Sequence, residues 1–317
     1  MILRVLLYHR VDDPACPRAD LNPDLVSATP ASLEQHVRHL TRFYHPVGAR
    51  EVLAALAGRS TLPPRSVLVT FDDGYRDFLH LAWPILERHR VPAVLFVPSA
   101  FVDDPDRVFW WDGLWQMLTR TRHTQVALPR SGVAPLRSHA DQLRAFRAYV
   151  GWLKSLEPAT RLREVERLAE RLGVRPEPPR AVLTWPELRR LAEAGVTVAA
   201  HSRTHERLDQ LDAAALAREV QGSRDDLVRE LGTCLPLFAY PYGNVSYRVL
   251  RALEGAGFQA GFTTLYGVNR LPRVNPRLLR RDDPHVPFPR FALKLTGPLA
   301  ALRTVRHQLS PAMLGAE

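Results

Sequence analysis

Lysine is almost missing from this 317-residue chain: Lys154 and Lys294 are the only two among 43 basic residues, and the rest are arginine. The formal net charge is +10. Nucleic-acid binders gather such charge into runs interleaved with aromatics, whereas here the arginines are spread from Arg4 to Arg306. No nucleic-acid partner is expected. Arginines scattered in this way coat solvated faces, or draw a protein toward an anionic membrane surface or an acidic glycan.

Cysteine is scarce as well. Cys16 and Cys234 cannot build a disulfide framework, and neither stands in a Cys-x-x-Cys metal pair. A reducing compartment fits that usage. The opening run MILRVLLY is too short for the apolar region of a signal peptide and lacks a small-residue cleavage site. No stretch approaches the ~18 consecutive apolar residues of a transmembrane helix. The expectation is a cytoplasmic protein, with peripheral membrane contact left open and the oligomeric state unknown. A hydrophobic fraction of 46% and a charged fraction of 24% exclude a disordered chain. The length allows one large α/β domain or two average ones.

What the sequence does contain is an alternation. Short apolar runs at residues 3–8, 66–71, 93–97, 196–200, 237–240 and 260–263 read as strands. Amphipathic stretches at 32–43, 76–89, 185–194, 213–231 and 246–257 lie between them and read as helices. Thr184 is the expected N-cap of the third of these, with Pro186 in its first turn. Such alternation predicts parallel strands with crossover helices, in a barrel or a doubly wound sheet. Residues 103–180 break the rhythm. They show no strand, carry helical patterns rich in Arg and Leu, and open on the aromatic group Phe109, Trp110 and Trp111. They read as a helical insertion or lid within one domain spanning 1–317. Trp110, Trp111 and Trp115 are either its core or a platform for stacking a sugar face.

Three motifs carry chemistry. The first is Thr70-Phe71-Asp72-Asp73-Gly74-Tyr75, directly after an apolar strand. Active sites of parallel α/β folds gather at the carboxyl ends of strands. Two adjacent carboxylates there are costly unless a cation or a proton transfer uses them; Asp-Asp-Gly is also ordinary turn chemistry. The second is His201-Ser202-Arg203-Thr204-His205, again after an apolar run. If the chain turns helical there, histidines at i and i+4 share a face and can hold one metal ion. One aspartate and two neutral imidazoles make a facial triad with open positions, suited to Zn²⁺ or another divalent transition metal. The second aspartate is then free to act as a base. The third motif, Phe238-Ala239-Tyr240-Pro241-Tyr242-Gly243-Asn244, is a Pro/Gly turn around an aromatic that can aim a backbone N–H at an oxyanion.

The order TFDDGY, HSRTH, AYPYG resembles the NodB-homology polysaccharide deacetylases, which include chitin, peptidoglycan and exopolysaccharide N-deacetylases. The resemblance runs from about residue 3 to about residue 264, outside the inserted segment. It implies an α/β fold, a distorted (β/α) barrel with fewer than eight regular units, and metal-dependent removal of an N-acetyl group from an amino sugar. By motif position, Asp72 would be the general base, Asp73, His201 and His205 the metal ligands, and Tyr242 the donor of an oxyanion N–H. The implied cofactor is a divalent metal ion, Zn²⁺ first, with Co²⁺, Ni²⁺, Mn²⁺ or Fe²⁺ as alternatives. The implied substrate is an N-acetylated carbohydrate or a lipid-linked sugar, and the absence of an export signal favours an intracellular precursor. The same core motifs also permit hydrolysis of another C–N bond, such as a formamide or a cyclic amide. A catalytically idle carbohydrate-binding relative would have been free to lose these four residues.

Two departures stand out. Many members begin the third motif with an arginine that tethers the catalytic aspartate, and Ala239 occupies that place here. Members also often carry a late Leu-x-His motif whose histidine protonates the leaving amine, and no clear copy is found. Arg273, after a possible final strand, is the candidate tether. His285 and His9 are the candidate acids, His9 because it ends the first strand.

Overall fold

The computed structural model describes residues 1–13, 21–104, 106–130, 132–178 and 181–296. Cys16 lies outside them. Six parallel strands organise the larger of two compact units, which comprises Met1–Asp13, Val26–Asp103 and Val182–Glu317. They are β1 (Ile2–Tyr8), β2 (Ser66–Phe71), β3 (Ala93–Val97), β4 (Thr197–Ala200), β5 (Leu237–Ala239) and β6 (Ala260–Phe262). Each pairs in parallel with its neighbours in chain order, from Leu3↔Ser66 at one end to Ala239↔Phe262 at the other.

These strands are apolar on both faces because helices cover the outside while side chains fill the inside. Alternate residues Leu3 and Val5, Val94 and Phe96, Leu237 and Ala239, and Ala260 and Phe262 belong to one buried cluster. The crossovers run through helices Pro30–Phe43, Trp83–Arg88, Trp185–Glu193, Ala213–Leu231 and Tyr247–Gly255. Thr184 does precede the Trp185–Glu193 helix, and the Glu187 carboxylate accepts the Thr184 N–H at 2.8 Å in a capping box.

Among the described residues no strand of regular length closes the barrel. Residues 279–282 bridge the gap instead, Leu279 pairing with Phe262 of β6 and Asp282 with Leu6 of β1, both parallel. Backbone hydrogen bonds fix this segment on each side: Leu279 N–H to Gly261 O at 2.8 Å, and Asp282 N–H to Val5 O at 2.8 Å. The short strand Asn269–Arg270 adds an antiparallel pair at the start of β1. The result is a distorted (β/α) barrel, the one of the two architectures left open by the alternation that the family resemblance implied.

The second unit comprises Pro14–Leu25 and Asp104–Ala181. Its helices are Trp110–Arg120, His139–Leu153 and Pro158–Leu172. It also contains a small antiparallel hairpin, Gln125–Ala127 with Val133–Pro135, which the sequence reading of a strandless segment missed. Three-residue strands are too short to show a period of two. Trp110, Trp111 and Trp115 are all buried, and Trp115 meets the Phe146 ring edge-on at 5.6 Å. Of the two readings of these tryptophans, the structure supports core. No helix among the described residues is long and apolar enough to cross a membrane.

Candidate metal centre and active site

All three motifs sit at the carboxyl ends of barrel strands. β2 ends at Phe71, and the Asp72 N–H continues the ladder by donating to Tyr8 O at 2.9 Å. The chain then turns through two left-handed residues, Asp73 at φ 72° and Gly74 at φ 68°. A glycine is required at the second, because a Cβ there would stand 3.0 Å from Val97 as well as at positive φ. The turn sends the two neighbouring carboxylates in different directions, and that separation is what tells them apart.

Asp73 faces the histidines. Its Oδ1 lies 3.4 Å from His201 Nε2 and 3.2 Å from His205 Nε2. Among the described residues, Asp73, His201 and His205 form a trio of metal-ligating type whose ligand atoms all lie within 4.8 Å of one another, every member buried. Asp73 Oδ1 is buried yet accepts no hydrogen bond of good geometry. A metal with bonds of about 2.0–2.2 Å and tetrahedral angles spaces its ligands roughly 3.3–3.5 Å apart, so these separations fit a cation far better than they fit mutual hydrogen bonds. The outer contact of His201 agrees. Its Nδ1 stands 2.8 Å from Ala239 O, and since a carbonyl can only accept, Nδ1 carries the proton and Nε2 presents its lone pair inward. Ala239, in the position where an arginine was looked for, thus contributes its carbonyl. The donor set and its geometry suit a divalent metal ion.

The histidines are not on a helix, contrary to the i, i+4 expectation. Residues 201–205 form an irregular loop in which Ser202 has φ 60° and His205 φ 57°. The two rings meet at 74° with centroids 4.8 Å apart, brought together by the reversal at Ser202, whose Oγ accepts the His205 N–H at 3.0 Å. Helical spacing was right about proximity and wrong about cause. Of the six non-glycine residues at positive φ among the described residues, four are Asp73, Ser202, His205 and Tyr242. Backbone strain gathers where function is paid for by the rest of the fold.

Asp72 turns toward an arginine, and that arginine is Arg281. Arg281 Nη1 and Nη2 donate to Asp72 Oδ1 and Oδ2, each at 2.7 Å, in a bidentate pair with the guanidinium fully buried. Its Nε donates to Thr263 O at 2.9 Å, so the closing segment 279–282 also fixes the guanidinium plane. Burial alone would push Asp72 up; the charge of Arg281, helped by His201, holds the carboxyl below its ordinary range. Asp73 is likewise buried, and the facing imidazoles hold it well below that range. Burial pushes His205 down, whereas the two carboxylates raise His201. Two ionised carboxylates against one guanidinium leave a deficit of positive charge that a divalent cation would fill.

Arg273 is not the tether. It is exposed, following the short strand Asn269–Arg270, and turns away because Val274 and Leu271 pack inward against the core. Arg273→Ala is expected to leave turnover and metal content within about twofold of wild type, surface substitutions usually costing less than ~0.5 kcal/mol. Steady-state kinetics and metal analysis check it. Arg281 escaped the sequence reading because its segment makes single bridges and shows no strand pattern.

His285 is exposed, so it is not placed to act at the carboxylates. His9 follows β1, half-buried, and its charge influences both Asp72 and Asp73. With Leu7 and Tyr8 it spells the Leu-x-His pattern sought late in the chain. The first strand adjoins the closing segment, through Leu6 and Asp282. Tyr242 sits in the turn Pro241–Gly243 at φ 60°, its ring 4.9 Å from that of His205.

The comparisons with known proteins point to one family. A family model described as polysaccharide deacetylase matches residues 59–261, well over half of the chain. The poly-beta-1,6-N-acetyl-D-glucosamine N-deacetylase of Escherichia coli K12 is 33% identical over 98 residues, 31% of this chain but only 14% of that protein. Among solved structures, the Streptococcus pyogenes deacetylase PplD in complex with acetate covers 94% of this chain and 99% of its own, with TM-score 0.62 and 18% identity. A de-N-acetylase from Aggregatibacter actinomycetemcomitans covers 93% and 100%, with TM-score 0.62 and 19% identity. At those identities the likeness establishes the fold, and the family model establishes the rest: the chain belongs to the polysaccharide deacetylase family.

Proposed function

We propose that this protein hydrolyses the N-acetyl amide of an amino sugar within an N-acetylated glycan, releasing acetate and a free amine. The observation that carries the reading is the side-by-side arrangement of two separated carboxylates, Asp73 against two imidazoles and Asp72 against Arg281. Asp73, His201 and His205 would hold the metal, and two imidazoles with one carboxylate favour Zn²⁺, with Co²⁺, Ni²⁺, Mn²⁺ or Fe²⁺ as substitutes. When bound, such a cation supplies Lewis acidity, polarising the acyl oxygen and making water acidic at neutral pH.

The chain's own residues do the remainder. Asp72, ionised and oriented by Arg281, takes the proton of the attacking water. Tyr242 supplies its backbone N–H to the oxyanion of the tetrahedral intermediate. His9 is the assigned acid, passing a proton to the departing amine as the C–N bond breaks. The proton removed from water thus leaves on one carboxylate while another arrives on nitrogen, and the sum is amide plus water to carboxylate plus amine.

The relative from Escherichia coli makes β-1,6-linked N-acetylglucosamine oligomers the first substrate to test; lipid-linked N-acetylated sugars are the second. Acetate release is expected from the purified protein, abolished by a chelator and restored by Zn²⁺ or Co²⁺. Full activity in protein shown by elemental analysis to be metal-free would overturn the metal-dependent reading. Metal-stimulated release of formate from N-formylated counterparts, with none of acetate from the N-acetylated sugars, would overturn the acyl assignment alone.

A further inference from the structure

A carboxylate outside the trio holds the histidine loop from behind. Glu219 lies on helix Ala213–Leu231, buried to 8% exposure. Its Oε2 accepts two consecutive backbone N–H groups, Arg203 at 2.9 Å and Thr204 at 2.8 Å, and its Oε1 accepts the Thr204 hydroxyl at 2.6 Å. Those two residues stand between His201 and His205. They are bracketed by the left-handed residues Ser202 and His205, a conformation that bulky L-residues leave unless something over-determines it.

The rest of that helix face is shaped for the same loop. Gly222, one turn on from Glu219, leaves room for Arg203: a Cβ there would stand 2.6 Å from Arg203 Cδ. Asp226, two turns on, accepts from Arg203 Nε at 2.9 Å and from Ser99 Oγ at 2.6 Å. Positions i, i+3 and i+7 share a helix face, so one stripe of Ala213–Leu231 grips the loop by backbone and side chain. From the segment after β3, the Ser99 and Ala100 N–H groups donate to Ser202 O at 3.3 Å and Arg203 O at 3.0 Å. The loop's amides and carbonyls are thereby fixed from two elements, and of these grips that of Glu219 takes the consecutive Arg203 and Thr204 amides.

We propose that Glu219 is a positioning residue that sets the affinity of the metal centre, by holding residues 203–204 so that His201 and His205 converge on Asp73. The proposal rests on the metal reading above. It concerns how tightly the preformed trio binds, since a loop that must be ordered on binding loses affinity to the ordering cost. Outer-shell partners of metal ligands typically contribute 10–100-fold in affinity, and a residue holding two amides of the ligand loop belongs in that range.

The test is the affinity of full-length protein for Zn²⁺ and Co²⁺ alone, measured by chelator competition, with the melting temperature of the chelated protein as a check on folding. Glu219→Ala is expected to weaken both metals by about 10–100-fold. Glu219→Gln retains a carbonyl oxygen for the two amides and should return affinity to within about threefold of wild type, which a purely electrostatic role for Glu219 would not allow. If Glu219→Ala does not fold, Glu219→Asp decides, because a side chain shorter by one methylene cannot reach all three donors; an intermediate loss is expected. Affinity within twofold of wild type in the folded alanine variant, or in the aspartate variant where alanine fails, overturns the proposal. A wild-type protein that binds neither metal overturns the metal reading itself, a result separable from any difference among the variants.

Discussion

His205→Ala is expected to strip the protein of its metal and reduce turnover to near background. Three protein ligands leave no spare: without His205 the trio becomes one carboxylate and one imidazole, and half the positions of a tetrahedral site lose their protein ligand. The loss should exceed the roughly 10–100-fold that outer-shell partners contribute, and His201→Ala should match it. The fold should survive, because both rings sit in a loop beyond β4 and outside the apolar cluster. Elemental analysis after gel filtration, with acetate release measured in added Zn²⁺, checks the prediction. Metal retained at wild-type stoichiometry in His205→Ala would remove this histidine from the ligand set.

The sequence made the barrel legible wherever a strand is buried on both faces. β2 and β3 coincide with their apolar runs residue for residue, since both faces demand the same chemistry and polar residues mark the ends. Helix Ala213–Leu231 was equally clear, with Asp212 capping it and Gly232 ending it at φ 71°. The stretch read as one helix from residue 76 to 89 instead contains a π-helical turn, Phe78–Ala82, before α-helix Trp83–Arg88. The apolar period is nearly the same in both, so periodicity could not resolve them.

The site was half legible for a related reason. Motifs are local, and Asp72, Asp73, His201, His205 and Tyr242 each sit in a short string whose order carries information. Arg281 and Glu219 act through partners outside any such string, at separations of 209 residues for Arg281 and Asp72 and 16 for Arg203 and Glu219. Nothing in a single sequence marks which of its many arginines closes the barrel. The bridges made by Leu279 and Asp282 help bring Arg281 to Asp72.

Arg281→Ala is expected to lower turnover about as far as Asp72→Asn, by a factor on the order of 10²–10⁴, the usual worth of a general base. Both variants should retain metal, because neither residue belongs to the Asp73, His201 and His205 trio. The physical reason is that Asp72 is buried and its two oxygens are held by two guanidinium N–H groups at 2.7 Å. Removing one partner of a buried ion pair leaves an uncompensated charge worth about 3–5 kcal/mol, which the protein can escape by protonating Asp72 or letting water in, and either spoils an oriented base. Arg281→Lys should recover only part of the rate, since an ammonium cannot reproduce two parallel bonds to a carboxylate together with the third, to Thr263 O. Because Arg281 acts through Asp72, the double variant Arg281→Ala/Asp72→Asn should be scarcely slower than Asp72→Asn alone, whereas independent contributions would multiply. The measurement is turnover and metal content for the two single variants and the double. Multiplicative losses, or an Arg281→Ala enzyme as fast as wild type, would show that the base is oriented by something other than this guanidinium.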